Sequence, residues 1–119
     1  MGDRSVKPLL VLVTASSLEE GSCLARALLE ARAASCVNLL SGLRSFYWWK
    51  EKREEADEIL LLVKSADERW EELCDVIRRH HSYECPEIVA VCPDRVEERY
   101  FSWWSAELLK KGSASSLES

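Results

Sequence analysis

The sequence predicts an α+β domain of the ferredoxin-like, split βαβ type, and three observations predict it. Residues 8–14, 36–49, 59–63 and 88–92 are apolar or β-branched runs with strand character. Two stretches between them, after Ser17 and after Ser65, carry apolar residues at i, i+3, i+4 and i+7. The resulting order of strand, helix, strand, strand, helix, strand matches the split βαβ unit, here followed by a terminal helix.

Residues 8–14 are continuously apolar, which suits a central strand covered on at least one face. Ser17, with Glu20 three residues on, has the pattern of a capping box. Leu24, Ala27, Leu28 and Ala31 form a core-facing stripe on the helix that follows, which ends near Ala33. The second run, 36–49, is more than twice the usual strand length of about 5–6 residues. Gly42 in its middle predicts a bulge or bend.

Residues 50–58 are almost all charged and read as the exposed tip of a hairpin. Residues 59–63 repeat the buried-strand signature. Right-handed crossovers then place both helices on one face of the sheet. The strand at 59–63 lies between the first strand and the long one, which leaves the long strand on an edge. Ser65 and Glu68 form a second possible capping box. Trp70, Leu73, Cys74 and Ile77 supply the stripe of the second helix, and Arg78, Arg79, His80 and His81 close it against the helix dipole. Pro86 ends the connection to the strand at 88–92. Residues 95–111 read as a helix carrying Val96, Tyr100, Trp103, Trp104 and Leu108. One domain, 7–111, is expected, with 1–6 and 112–119 as flexible tails.

Composition narrows the function. With 119 residues, 47% hydrophobic and 31% charged, the chain has enough apolar material for one core and is not a disordered segment. A net charge of −5 argues against nucleic-acid binding, which calls for a basic stripe. No apolar run approaches the roughly 18 residues of a membrane span. The first residues show neither a cleavable-signal nor a myristoylation pattern. Five cysteines without a C-x-x-C pair point to free thiols in a reducing compartment, so a cytoplasmic location is expected.

From Leu43 onward, one parity of the long strand holds Leu43, Ser45, Tyr47 and Trp49, and the other holds Arg44, Phe46, Trp48 and Lys50. Both faces therefore carry large rings, more than so short a chain can cover. The residues favour a strand that docks on another copy of the protein over one buried inside a monomer.

The densest cluster of potential ligands is His80-His81-Ser82-Tyr83-Glu84-Cys85-Pro86-Glu87, with His80, His81 and Cys85 as the candidate metal ligands. Two imidazoles with a nearby thiol suit a soft or borderline ion such as copper or zinc, although the spacing matches no closed zinc pattern. The same residues also read as a polar helix end. Catalysis has little support. Cys36 near Asn38 could serve as a thiol nucleophile but sits in a strand, where a buried, inert thiol is the commoner outcome. No nucleophile elbow, phosphate loop or H-E-x-x-H helix is present. The carboxylates of 54–58 lie in a charged turn. A non-enzymatic protein is expected.

Taken together, the strings Ala34-Ser35-Cys36-Val37-Asn38, Ser45-Phe46-Tyr47-Trp48-Trp49-Lys50, His80-His81-Ser82-Tyr83-Glu84, Pro86-Glu87-Ile88 and Tyr100-Phe101-Ser102-Trp103 closely resemble the CutA family, the divalent-cation tolerance proteins. The resemblance covers about residues 10–109. It implies a ferredoxin-like protomer in a homotrimer joined through the long hairpin, in cytoplasm or organelles. It also implies a link to copper and other divalent ions, with no established reaction. In animals it implies a further link to acetylcholinesterase processing. The matching positions are Arg32, Cys36, Asn38, Ser45, Tyr47, Trp49, Glu58, Lys64, His81, Tyr83, Glu87, Tyr100 and Trp103. By resemblance they line a cleft between subunits, with Arg32 and Lys64 as anion contacts.

Three departures from the family pattern stand out. Glu51 replaces a glycine and alters the hairpin turn. Ser82 replaces a proline and is expected to loosen its loop. Val13 stands where some bacterial members carry a cysteine, leaving Cys85 as the substitute thiol. The leading expectation is a trimeric metal-binding protein using His80, His81 and Cys85, with copper(II) or another divalent cation as ligand and no required cofactor. The alternative is a regulatory or scaffold trimer that holds a small anion or peptide in the cleft, with metals incidental.

Overall fold

Alternation along the chain decides which face of each strand is buried. In β1 (Pro8–Ala15), the side chains of Leu9, Val11, Val13 and Ala15 are buried, whereas Leu10 and Leu12 on the other face are only half-buried. The structure, a computed structural model, describes residues 6–110. After β1 come α1 (Leu18–Glu30), β2 (Cys36–Trp49), β3 (Lys52–Ala66), a 3₁₀ turn (Asp67–Arg69), α2 (Trp70–His80), β4 (Ile88–Val91) and α3 (Glu98–Leu109). The sheet is antiparallel throughout, in the order β2-β3-β1-β4. This is the ferredoxin-like arrangement, with β2 and β4 on the edges.

Both main helices cover the same face. Leu24 and Leu28 of α1 and Leu73, Cys74, Val76 and Ile77 of α2 pack on Val11, Val13, Leu61 and Val63. Gly21 lets α1 come close, because a Cβ there would sit 3.2 Å from Leu39 Cδ2. A second, smaller core joins α3 to the end of the sheet through Val6, Ala66, Trp104 and Leu108, and Trp104 Nε1 donates to the Ser65 carbonyl at 2.8 Å. Val6 belongs to that core rather than to a flexible arm. The remainder of the expected tails lies outside the described residues.

Several local expectations are corrected. The charged stretch is a strand and not a turn: β3 begins at Lys52, and the hairpin turn consists of Lys50 and Glu51 alone. Both turn residues have positive φ (50° and 66°), as a two-residue primed turn requires, although neither is glycine. Cross-strand pairing explains the change, since Phe46 faces Glu55, Tyr47 faces Glu54, and Arg44 bonds both Asp57 (2.9 Å) and Glu55 (3.0 Å). The Gly42 bulge is present, at φ 90°, between Leu40 and Leu43.

Of the capping boxes, the first forms in altered shape. Ser17 Oγ accepts from the Glu20 amide at 3.1 Å, but the Glu20 carboxylate takes the Ser16 amide (2.8 Å) and hydroxyl (2.9 Å) instead of the Ser17 amide. The second does not form. Ser65 Oγ donates to the Ala33 carbonyl (2.6 Å), and Glu68 accepts from the Lys7 amide (3.2 Å). Helix α3 is shorter than expected at both ends.

Helix α1 ends in a Schellman turn: the Ala33 amide donates to Leu28 and the Arg32 amide to Leu29, at 3.0 and 3.1 Å. Arg32 occupies the left-handed position (φ 57°) that glycine usually fills. The carbonyls of Ala31 and Arg32 are then taken by the guanidinium of Arg69, at 2.8 and 3.1 Å.

The face away from α1 and α2 is also apolar. Ladder partners point the same way, so Leu10, Leu12, Leu40, Leu60, Leu62, Val89 and Val91 share it. Leu40, Val89 and Val91 are exposed and the others half-buried. Helix α3 reaches only its end. On the hairpin, Phe46 and Trp48 are 69% and 71% exposed, and Tyr47 and Trp49 on the opposite parity are 42% and 40% exposed.

Candidate functional site

Beside the bare face, the hairpin and the loop after α2 enclose a cleft of about 690 Å³. The hairpin contributes Ser45, Phe46, Tyr47, Trp49 and Glu58, and β1 contributes Thr14. The loop contributes Ser82, Tyr83, Glu84, Cys85, Pro86 and Glu87. Ser45, Tyr47, Trp49 and Glu58 meet because they share one parity of the β2–β3 ladder, below the Gly42 bulge. Six of the thirteen expected cleft residues (Ser45, Tyr47, Trp49, Glu58, Tyr83 and Glu87) are therefore together within one protomer.

Glu58 is the most enclosed of them, 7% exposed, and accepts a 2.9 Å hydrogen bond from Tyr83 Oη. Burial, and then this bond, pushes the Tyr83 hydroxyl well above the ordinary tyrosine range. The loop is fixed from below by Glu20, which accepts the Ser82 amide at 2.7 Å. Burial pushes the Glu20 carboxyl up, but hydrogen bonds from Ser82 and Ser16 outweigh it and hold the pKa at about 2. A proline at 82 would lack that amide, so Ser82 exchanges a fixed φ for an added bond that ties the loop to α1.

Six of the other seven expected residues, all but His81, gather elsewhere. Lys64 Nζ donates to Asn38 Oδ1, lies 3.6 Å from Cys36 Sγ, and sits 5.8 Å from the centroid of the Tyr100 ring. Tyr100 stacks on Trp103 at 5.5 Å. Arg32 bonds Glu107 Oε1 at 2.8 Å, at the edge of α3. The expected cleft is thus divided, within one chain, into an acidic aromatic part and a part holding the cations.

The expected metal ligands are not gathered. The His81 side chain is wholly buried. Its Nε2 lies 2.6 Å from the Thr14 carbonyl and therefore donates, while Nδ1 accepts the Tyr83 amide at 3.0 Å. No lone pair remains for an ion. His80 points elsewhere, as adjacent helical positions must, and uses Nδ1 on the Val76 carbonyl (2.9 Å), leaving Nε2 free. Cys85 is exposed in the cleft lining. Among the described residues, no three His, Cys, Asp or Glu side chains are grouped to hold an ion. Cys36 lies half-buried beside Lys64, without a histidine partner.

Reasoning from sequence missed Thr14, Phe46, Ser82, Glu84 and Pro86 as lining, and Glu20 as the loop's anchor. The carboxylate at Glu20 reads from sequence as a helix cap, and nothing local to it marks a bond to residue 82.

Residues 9–107 match the family model of the CutA1 divalent ion tolerance protein. The chain is similar to the divalent-cation tolerance protein CutA of Archaeoglobus fulgidus, with 38% identity over 93 residues, 78% of this chain and 90% of the relative. Among solved structures, it is similar to the divalent cation tolerance protein of Thermus thermophilus (TM-score 0.82, 36% identity, covering 84% of this chain and 97% of that one). It is also similar to CutA1 of Oryza sativa (TM-score 0.82, 29% identity, covering 86% and 94%).

Proposed function

The chain belongs to the CutA1 divalent ion tolerance family, and on that premise we propose that it serves divalent-cation tolerance as a cytoplasmic homotrimer that binds the ion without catalysing a reaction. The observation that carries the assembly is the second, uncovered apolar face of the sheet, which runs into a hairpin with rings on both sides. Sheets packed on one face only normally turn polar residues to water on the other. A bare row of Leu and Val beside two open sheet edges is suited to burial against further copies. Free thiols at all five cysteines accord with a reducing compartment.

For the ion, one protomer offers His80 Nε2 and the Cys85 thiol. Imidazole and thiol suit copper, and neighbouring copies complete the coordination. Calorimetric titration with copper(II) tests this: the His80→Ala protein should lose most of the uptake seen in the wild type. Unchanged uptake in that variant contradicts His80 as the ligand.

A second reading, a regulatory trimer with a ligand in the cleft and metals incidental, is favoured by the cleft itself. None of its lining side chains is a histidine.

A further inference from the structure

Cys36 opens β2 and Lys64 lies near the end of β3. The two are direct partners in the ladder, so their side chains leave the sheet on the same face. Lys64 Nζ lies 3.6 Å from Cys36 Sγ and donates to it. The amine is also held by Asn38 Oδ1, two residues along β2, and lies 5.8 Å from the centroid of the Tyr100 ring. Cys36 is half-buried, so its sulfur is within reach of a small reagent. Among the described residues, no other cysteine is hydrogen-bonded to a lysine.

A thiol and a primary amine in contact have a chemistry that neither has alone. Peroxide oxidises a thiolate to a sulfenic acid, and sulfenic sulfur condenses with a nearby nitrogen to a sulfenamide. In the first step the Cys36 sulfur attacks one oxygen of hydrogen peroxide and the O–O bond breaks. The departing hydroxide takes a proton from the Lys64 ammonium and leaves as water. Thiolate, ammonium and peroxide have then become sulfenic acid, free amine and water. In the second step the lone pair on Nζ attacks the sulfenic sulfur, so an S–N bond forms and the S–O bond breaks. The hydroxyl departs with one amine proton as a second water. The flexible stem of lysine lets Nζ close the remaining gap.

We propose that hydrogen peroxide joins Cys36 Sγ to Lys64 Nζ in a reversible sulfenamide. The link ties β2 to β3 and removes the positive charge of Lys64 from its face of the sheet. A dithiol reverses it, restoring thiol and amine while becoming a disulfide itself. Both groups belong to one chain and the oxidant is little larger than water. The reaction therefore needs no open groove and applies within an assembly of several copies. It is independent of the ligand of the cleft and of copper at His80.

The test uses the full-length protein, reduced beforehand, with its mass in solution recorded on the same samples. It is treated with hydrogen peroxide under native conditions, with and without dimedone, which traps sulfenic acids. Peptide mapping by mass spectrometry should then show the Cys36 and Lys64 peptides joined, with the loss of two hydrogens. Dithiothreitol should separate them. Cys36→Ser and Lys64→Arg should each abolish the joined product. Arginine keeps a cation beside the thiol but offers no amine, so Cys36 in Lys64→Arg should stop at the sulfenic acid. It should take up dimedone severalfold more than in the wild type. Oxidised wild type should also unfold at a higher denaturant concentration than the reduced protein, a rise absent from Lys64→Arg.

Oxidation of Cys36 without a joined product overturns the proposal. So does an unreactive Cys36 at peroxide concentrations that oxidise the exposed Cys85 and Cys92. Joining of Cys36 to any group other than Lys64 overturns the pairing, as does a link between two chains, seen as a doubled mass after denaturation. A joined product that retains an oxygen overturns the condensation step.

Discussion

Tyr83 donates its hydroxyl to Oε2 of Glu58 at 2.9 Å, and this bond fastens the loop after α2 to the hairpin. The acceptor is a carboxylate more than nine-tenths enclosed, and no ion pair joins it to a cation among the described residues. Tyr83→Phe removes its one donor and should destabilise the protein by about 1–3 kcal/mol, measured by denaturant unfolding. Glu58→Gln in the same background should recover part of the loss, because an amide is less costly to bury than a charge. In an ultraviolet titration of the wild type, Tyr83 should ionise well above the ordinary range of tyrosine. Ionisation of Tyr83 within the ordinary range contradicts its enclosure.

Glu20 makes stability depend on acid. Its folded pKa of about 2 lies below the ordinary 4.5, so its contribution is complete above that value and is lost as pH falls toward 2. The stability difference between wild type and Glu20→Gln should therefore be constant from about pH 5 to 7 and shrink between 4.5 and 2. A difference that grows on acidification would have the wrong sign.

The hairpin turn is strained at two residues. Lys50 and Glu51 hold positive φ without being glycine, at a cost of roughly 1 kcal/mol each. Glu51→Gly should therefore stabilise by up to about 1 kcal/mol, read as a rise in the unfolding midpoint. Gly42→Ala should do the reverse by a similar amount, because its φ of 90° is open to glycine and a built Cβ meets no neighbour there. An unchanged midpoint in both contradicts a conformational cause.

The fold was legible because the elements that set it have strong periodicity. Leu24 and Leu28, Leu73 and Ile77, and the runs around Val11 and Leu61 all entered the expected core. The edge position of β2 followed from chain order, and the Gly42 bulge from its residue type. The site was legible only in part. Tyr47, Trp49 and Glu58 share a ladder parity, but their meeting with Tyr83 depends on a tertiary approach that no local pattern encodes. The charged run at 52–58 lacks β-propensity and is held in a strand by pairing with Arg44 and the rings opposite. His81 reads from sequence as a ligand, yet Thr14, sixty-seven residues away, supplies the carbonyl that occupies it.

The hairpin rings and the bare sheet face together require company. The most direct measurement is the mass of the protein in solution by light scattering, at micromolar concentration. The account predicts three times the 13.6 kDa of one chain, with tryptophan fluorescence shielded from a soluble quencher. Trp48→Glu, on the most exposed ring of the hairpin, should lower that mass and unshield the indoles. A wild-type particle of 13.6 kDa with its hairpin indoles already shielded would contradict the account, because nothing among the described residues of one chain covers Trp48.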